Sequence, residues 1–208
     1  VAQTQGRGRH GNAWQDHPGS FKASWLLDKG HLKSTTPYVQ LEMAQQIRNA
    51  LCLKRDQTNL ILTKWPNDLL LRSSVREKWR KFGGILFQSF SRGDEQRIVV
   101  GIGINTSMKG LKKGQASLEE IGQSKHSDLF AVLSAVVASM FEHKHDALRR
   151  IGNGSITNEH LLSDCFYRGK MCTLQKVGEH DIELLSDEKE TYRVGDDEEL
   201  IWTNLHPQ

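Results

Sequence analysis

A run of β-branched residues at positions 98–104, interrupted by Gly101 and Gly103, constrains the fold of this chain more than any other feature. β-branched residues favour strands, and a continuous apolar run is typical of a strand that is covered on both faces. Glycines inside such a strand let a ligand or another backbone approach closely. The run therefore predicts a central strand, and a polar residue, Asn105, stands at its end.

The spacing of apolar residues predicts further elements on either side of this strand. Helical spacing predicts helices over residues 36–54, 127–148 with Ser127 as N-cap, and, shorter, 158–166. Alternation and turn residues predict further strands. The first residues, 1–5, fit the end of a strand, and the others are expected at 21–27, 60–64, 68–71, 82–90, 171–176, 181–185, 190–194 and 199–202.

Together these elements predict an α+β fold. We expect a mixed, mostly antiparallel sheet packed by the two long helices in residues 1–154, followed by a small β-barrel in residues 155–208. A Gly-Asn-Gly segment at 152–154 is the expected linker between them.

Composition narrows the classes of protein. The 208 residues carry a net charge of only +3, and basic residues cluster in the loops 72–81 and 109–113, which suits anionic small molecules or an acidic partner better than a DNA duplex. The three cysteines are widely spaced without a C-x-x-C pair, so we expect neither disulfides nor a zinc site, and a reducing compartment. Apolar stretches fall short of the roughly 20 residues that cross a bilayer, and no signal-peptide pattern is present, so we expect a cytosolic or organelle-stromal protein without membrane contact.

A glycine- and arginine-rich segment at 6–14 is the first candidate for ligand binding. Its glycines permit a backbone that wraps an anion, and Arg7 and Arg9 supply guanidinium groups between them. The same pattern also fits a solvated turn or a nucleic-acid-binding tract.

Three further segments place charged or polar groups at strand ends. Asn67 and Asp68 present an amide and a carboxylate at a strand start, which equally fits a β-turn. Lys81 stands just before a strand that opens on glycines, so that its ammonium could meet a ligand carboxylate, although a lone lysine is usually solvated. The glycines that precede Asn105 are also compatible with a bulge.

These four segments, together and in this order, resemble the biotin–protein ligase family. The family's Gly-Arg-Gly-Arg loop, Lys-Trp-Pro-Asn-Asp segment, Lys-x-x-Gly-Ile-Leu strand and Gly-x-Gly-Ile-Asn strand appear here almost verbatim, and the resemblance covers essentially the whole chain. It implies a catalytic fold like that of class II aminoacyl-tRNA synthetases with an SH3-like C-terminal domain. It also implies an AMP-forming ligase that uses ATP and Mg²⁺ to make biotinyl-5'-AMP and passes biotin to a lysine of a carboxylase acceptor domain.

The resemblance also implies roles for individual residues. The catalytic residues would be Lys81, Arg9 and Asp68, with no metal site built by the protein. Biotin would contact Gln3 and Arg7 at its ureido end, then Gly8, Arg9, Lys81, Gly84 and Gly101. The adenylate would contact Arg9, Trp14, Asn67, Asp68 and Asn105.

The chemistry of the reaction agrees with these roles. Joining a carboxylate to the α-phosphate of ATP brings two anions together, so Lys81 and Arg9 would offset their repulsion. An ammonium group that stays protonated near neutral pH suits a clamp rather than a base, and Asp68 is the candidate for accepting a proton from the incoming lysine. Trp14 would cover the adenylate and exclude water, or it is a plain core residue.

The chain also departs from the family pattern. Family members carry a strand and helix with a Ser-Thr pair before the Gly/Arg loop, and this chain begins after them, so we expect part of the biotin pocket to be missing. Asn12 stands where an arginine is common, and Thr106 follows Asn105 in place of a second asparagine. No helix-turn-helix precedes the core, so DNA binding is not expected, and a homodimer is compatible with the family by analogy.

Three other functions stay open from the sequence. A lipoate or octanoate ligase or transferase of the same fold also acylates a lysine, although the arginine-rich loop and the Lys-Trp-Pro-Asn-Asp segment favour biotin. A truncated core could bind biotin without turnover. RNA binding through the Gly/Arg loop is the least favoured, because no aromatic-rich basic surface accompanies the loop.

Overall fold

The computed structural model describes residues 4–8, 11, 13–14, 16–28, 37–51, 60–123, 129–142, 164–168, 170–177, 181–195 and 201–202. The helices are α1 (Pro37–Leu51) and α2 (Leu129–Glu142), with a 3₁₀ turn at Leu118–Ile121. The strands are β1 (Ser20–Asp28), β2 (Ile61–Lys64), β3 (Asp68–Leu71), β4 (Arg80–Arg92), β5 (Glu95–Asn105), β6 (Asp164–Tyr167), β7 (Lys170–Val177), β8 (Asp181–Ser186), β9 (Thr191–Gly195) and β10 (Ile201–Trp202).

Hydrogen bonding links these strands in the order β1-β5-β4-β3-β2-β10-β6-β7-β8-β9. Every pairing between the described strands is antiparallel, which confirms the prediction of an α+β fold with a mostly antiparallel sheet. β5 lies between β1 and β4, so the prediction of a central strand at 98–104 is also confirmed.

The two faces of β4 and β5 differ in what covers them. Alternate residues such as Ile85, Val100 and Ile102 are buried in one hydrophobic core with the apolar sides of α1 and α2. Trp25 of β1 faces the same side and donates a hydrogen bond from its indole to Oγ of Ser134 in α2, over 3.1 Å. The helices therefore cover one face of the sheet, and the intervening residues of β4 and β5 point to the other.

The C-terminal strands have a second hydrophobic core. β6 to β9 form an antiparallel meander whose inward residues, including Cys165, Leu174, Ile182 and Val194, are buried together. Trp65, at the end of β2, is only 3% exposed within this core, and its indole donates to the carbonyl of Gly195 over 2.8 Å. The second core therefore includes a residue from the middle of the first predicted domain.

Several predicted boundaries were wrong. The predicted helix at 158–166 ends in a strand, because residues 164–166 belong to β6, where Cys165 is buried and pairs with Cys172; residues 158–163 lie outside the described residues. Thr4 and Gln5 form a bend and not a strand, and residues 1–3 lie outside the described part. β4 begins at Arg80, so Lys81 belongs to the strand and not to the preceding loop. Ser127, the predicted N-cap, also lies outside the described residues.

Neither described α-helix has both the length and the apolar character needed to cross a membrane.

Candidate functional site

The face of the sheet opposite the helices carries a row of small and charged residues. The strand register places five residues directly opposite one another, from β1 to β2: Lys22, Gly103, Gly84, Asp68 and Lys64. Residues that are directly opposite in a sheet share one face. Charged residues therefore flank a pair of glycines, Lys22 on one side and Asp68 with Lys64 on the other, and the glycines leave room above the backbone.

A β-bulge brings Lys81 onto the same face. β3 and β4 pair Leu69 with Gly83 and Leu70 with Lys81, so Phe82 is an extra residue in β4. In a regular strand Lys81 and Gly84 would point to opposite faces, because they are three residues apart. The inserted residue removes this mismatch, and bulges commonly redirect a side chain in this way next to functional sites.

Lys81 consequently lies beside Asp68. The Nζ atom of Lys81 is 2.6 Å from Oδ1 of Asp68, and the lysine side chain is 44% exposed. A Cβ atom built on Gly84 would lie 3.5 Å from both the Lys81 Cε atom and this carboxylate oxygen. Gly84 and Gly103, with Gly101 on the same face, form what we call the glycine surface. The ion pair of Lys81 and Asp68 stands at its edge and is open to solvent on one side.

The two ends of the segment 6–14 lie side by side, and Trp14 covers the glycines. Arg7 pairs with Ala13 in an antiparallel bridge, and the Trp14 amide donates to the Gly6 carbonyl over 2.9 Å. The Lys81 Nζ atom lies 5.8 Å from the centroid of the indole, within the range of a cation–π contact. The indole nitrogen is buried without a hydrogen-bond partner among the described residues, which is an energetic cost wherever it occurs.

Asn105 is held at the end of β5. It is 3% exposed, and its amide Nδ2 donates to the Ala116 carbonyl over 3.0 Å, which fixes the orientation of the amide group. Its Oδ1 atom lies 2.9 Å from Nε2 of His17, whose other ring nitrogen lies 3.1 Å from the Lys109 carbonyl. His17 thus links Asn105 to the segment that follows β5.

Asn67 fastens the turn before β3 to β4. Its Nδ2 atom donates to the Ile85 carbonyl over 2.6 Å, and the Ile85 amide donates back to the Asn67 carbonyl over 2.9 Å. This pair of hydrogen bonds sets the position of Asp68 against Gly84.

A cavity of about 310 Å³ opens beside Lys81. Its lining consists of Ala13, Trp14, Lys81, Asn105, Lys112, Lys113 and Gln115. Three of these seven residues are lysines and none is acidic, so the cavity favours an anionic ligand.

Several of the predicted site residues therefore converge. Trp14, Lys81 and Asn105 line the cavity, and Asp68 and Gly84 adjoin Lys81. The others are either more remote or not described. Gly101 lies further along β5, opposite Leu86, Arg7 is exposed and Gly8 lies in the loop, while Gln3 and Arg9 fall outside the described residues.

Sequence reasoning missed four residues of this region. Gly103, and not Gly101, lies under Trp14; the two-residue period of the strand places both on one face and could have identified it. Lys112 and Lys113 were noticed only as part of a basic loop. His17 contacts Asn105 across 88 residues of sequence, and no local signal marks that contact.

Comparison with known proteins identifies the family. A family model described as the biotin/lipoate A/B protein ligase family matches residues 1–105. The bifunctional ligase/repressor BirA of Escherichia coli is 31% identical over 129 residues, and the human biotin–protein ligase is 29% identical over 109 residues. A solved biotin protein ligase from Aquifex aeolicus, in complex with biotin and ATP, is similar in fold with a TM-score of 0.61 and 22% identity, and the match covers 97% of this chain and 87% of that one.

The matches to the curated relatives are partial. They cover 58% of this chain and 37% of the Escherichia coli protein, and 50% of this chain and 14% of the human protein. The family model, by contrast, extends over half of the chain and includes the Gly/Arg loop, Lys81 and the whole of β5. The chain therefore belongs to the biotin/lipoate A/B protein ligase family.

Proposed function

We propose that this chain is a biotin–protein ligase, which activates biotin with ATP as biotinyl-5'-AMP and transfers it to a lysine of an acceptor domain of a biotin-dependent carboxylase. The observation that carries the proposal is the position of Lys81, beside Asp68, next to the Trp14 ring and in the lining of a cavity that holds two further lysines. The relatives named as biotin–protein ligases support the choice of biotin, and one of them was solved with biotin and ATP.

In the first half-reaction Lys81 is the cation between two anions. It exchanges its contact with Asp68 for the carboxylate of biotin and the α-phosphate of ATP, and it stabilises the charge that grows as they join. Arg9, which lies outside the described residues, would be a second such cation. The 44% exposure of Lys81 leaves its ammonium accessible to both ligands.

The glycine surface is the proposed platform for the biotin rings. Gly84 and Gly101 lie on the same face as Gly103, on which Trp14 rests, and their lack of side chains lets the fused rings of biotin approach the backbone beside the indole. Gln3 and Arg7 would bind the ureido end, and the backbone of Gly8 would cover the ligand. Trp14 would cover the adenylate and keep water away from it.

Asn105, Asn67 and Asp68 are the proposed contacts of the adenylate. Asn105 lines the cavity with its amide already oriented by Ala116. Asn67 acts mainly by positioning, because its Nδ2 atom is used by the Ile85 carbonyl. Once Lys81 is engaged by ligand, the Asp68 carboxylate is free to orient the incoming lysine and accept its proton in the second half-reaction.

Mg²⁺ would reach the site as the complex with ATP. Among the described residues no three His, Cys, Asp or Glu side chains are grouped to hold a metal ion. Mg²⁺ is commonly bound through substrate phosphates with few protein ligands, and this arrangement fits the basic lining of the cavity.

The proposal extends to the architecture and setting of the protein. Residues 1–154 would be a catalytic domain like the class II aminoacyl-tRNA synthetases, and residues 155–208 an SH3-like domain; the separate core of β6 to β9 supports the second assignment. We place the protein in the cytosol or an organelle stroma, where carboxylase acceptor domains are made or reside. A homodimer through a sheet edge is compatible with these assignments.

The leading alternative is a lipoate or octanoate ligase or transferase, because the description of the family names both biotin and lipoate ligases. Such an enzyme would use the same lysine clamp. The two functions differ in the acyl group that the glycine surface accepts, so only a comparison of substrates separates them.

The experiment is ATP-dependent transfer of labelled biotin to a biotin-acceptor domain, with lipoate and a lipoyl-acceptor domain in parallel. We expect biotin transfer, reduced by about 100-fold or more in Lys81→Ala, as is typical when a group that stabilises transition-state charge is removed. Lys78→Ala, which removes an exposed lysine from the loop before β4, is the matched control and should keep full activity.

The other outcomes separate the alternatives. Transfer of lipoate in place of biotin would assign the chain to the lipoate branch. Biotin binding without turnover would identify a non-catalytic core, and no binding of either acid would contradict the proposal.

A further inference from the structure

Lys112 and Lys113 occupy a tight turn at the cavity. The Gln115 amide donates to the Lys112 carbonyl over 3.1 Å, and the Gln115 side chain accepts from the Lys112 amide over 2.8 Å. Gly114 has a φ of +89°, a conformation that side chains rarely adopt, so glycine is needed at this position of the turn. The turn presents two consecutive lysines beside the ligand cavity.

This turn is fastened to the strand that carries Lys81. Gln115 forms an isolated parallel bridge with Lys81, and the Ala116 amide donates to the Lys81 carbonyl over 2.9 Å. The Arg80 guanidinium donates to the Gln115 carbonyl over 3.2 Å and is itself paired with Glu120. The backbone of the two lysines therefore has a fixed position relative to the catalytic clamp.

The charge of the turn is not neutralised from within. Lys81 has Asp68 as its partner, whereas neither Lys112 nor Lys113 has an ion-pair partner within the part of the chain that the structure describes. No acidic residue lines the cavity. Two like charges held next to each other repel, and an anion with several charges at this position would relieve the repulsion.

We propose that Lys112 and Lys113 form a subsite for the β- and γ-phosphates of ATP and for the pyrophosphate that leaves. This inference rests on the proposed function and names a subsite for it. A carboxylate oxygen of biotin forms a bond to the α-phosphorus while the bond from that phosphorus to the bridging oxygen of the β-phosphate breaks. The bridging oxygen keeps the electron pair, so charge accumulates on the leaving pyrophosphate, and no proton is required.

Lys81 and the pair Lys112 and Lys113 have different roles in this proposal. Lys81 is placed for the atoms that join, next to Asp68 and the glycine surface. Lys112 and Lys113 line the same cavity on a separate segment of the chain and are assigned to the atoms that depart. Stabilising the leaving group lowers the barrier of adenylation but contributes nothing to the later transfer step, in which no pyrophosphate takes part.

The test is calorimetric titration of the chain with inorganic pyrophosphate and, separately, with AMP, in buffer that contains Mg²⁺ and no biotin. We expect Lys112→Ala/Lys113→Ala to weaken pyrophosphate binding by at least about tenfold and to leave AMP binding unchanged, because charge-assisted hydrogen bonds to the phosphates are lost. The matched control is Lys78→Ala/Lys176→Ala, which removes two exposed lysines away from the cavity and should leave both affinities unchanged. Lys112→Arg/Lys113→Arg keeps the charges and should retain pyrophosphate binding.

Three results would overturn the subsite. The first is that the unmodified chain does not bind pyrophosphate. The second is that Lys78→Ala/Lys176→Ala weakens pyrophosphate binding as much as Lys112→Ala/Lys113→Ala does. The third is that the affinities for AMP and for pyrophosphate both fall in the alanine and in the arginine variants of Lys112 and Lys113. Because biotin is absent, these results are independent of the transfer assay. Loss of transfer with intact lysine-dependent pyrophosphate binding would contradict only the proposed function.

Discussion

The indole of Trp14 lies so close to the backbone of Gly103 that a Cβ atom at Gly103 would stand 2.6 Å from two of its ring carbons. A real Cβ atom essentially never lies this close to an atom to which it is not bonded, so only glycine fits below the indole in its present position. The Gly/Arg loop and the central strand are therefore fitted to each other at this point. In the proposed enzyme the contact between Trp14 and Gly103 marks the boundary between the space for the biotin rings and the loop that covers the ligand.

Gly103→Ala should displace Trp14 from the sheet. We expect greater quenching of Trp14 fluorescence by acrylamide, isolated by subtracting the signal of the corresponding Trp14→Phe protein. Gly101→Ala is the matched control, because a Cβ atom there would meet only ordinary contacts at 3.7 Å and beyond. Equal quenching in the Gly103→Ala and unmodified proteins would show that the indole does not rest on Gly103 in solution.

Asp68→Asn should slow transfer of biotin more than formation of the adenylate. The amide keeps the shape of the side chain but cannot accept a proton from the incoming lysine, and it also weakens the contact with Lys81 seen at 2.6 Å. Single-turnover measurements of adenylate formation and of transfer from preformed adenylate separate the two steps. An equal loss in both steps would mean that Asp68 acts by positioning Lys81 alone.

Trp65 should contribute to stability and not to catalysis directly. Trp65→Phe removes the hydrogen bond to the Gly195 carbonyl and should lower the free energy of unfolding by about 1 kcal/mol. Trp65→Ala also leaves a cavity in the second core and should cost about 3–5 kcal/mol. Urea titrations measure both, with Trp79→Phe, which alters a tryptophan stacked by Arg72 in the loop before β4, as a control expected to change little.

Glu42 should make stability depend on pH. Burial raises the pKa of its carboxyl group because it disfavours the charged form, so the folded protein binds this proton more tightly than the unfolded chain does. Its contribution to the free energy of unfolding is therefore full below the unfolded pKa and is lost as the pH rises through the folded one.

Glu42→Gln should consequently be more stable relative to the unmodified protein at about pH 7 than at about pH 4. Urea titrations at the two pH values provide the comparison, and Glu95→Gln, which alters a carboxylate that is 74% exposed, is the control. A stability difference that does not change between the two pH values would contradict the role of burial.

What could be predicted from the sequence followed from local patterns. Lys81, Asp68 and Asn105 were identified because each stands in a distinctive short segment, and strands β2 to β5 because their apolar residues are concentrated in short runs. The helix predicted at 158–166 was wrong for residues 164–166, because a short apolar stretch fits either period and Cys165 belongs to a strand that packs in the second core.

The parts of the site that could not be predicted depend on contacts distant in sequence. The bulge at Phe82 arises from the register against β3, and the link between His17 and Asn105 joins residues far apart in the chain. Trp65 stands in a segment that otherwise serves the site, and its burial depends on strands that begin only at Asp164, while its hydrogen-bond partner Gly195 lies 130 positions later in the chain. None of these three contacts produces a recognisable pattern in the sequence next to the residues that form it.

The extra residue in β4 has a consequence for which changes of length the chain can accept. The loop between β3 and β4 lies before the bulge, so insertions or deletions there alter only the path to Arg80 and leave Lys81 in place. Deletion of Phe82 would restore the regular alternation and keep Lys81 on the face of Gly84, but it would remove a fully buried side chain from the core. Natural variants of this protein should therefore differ freely in the length of the basic loop, while position 82 keeps a large apolar residue because it fills the core.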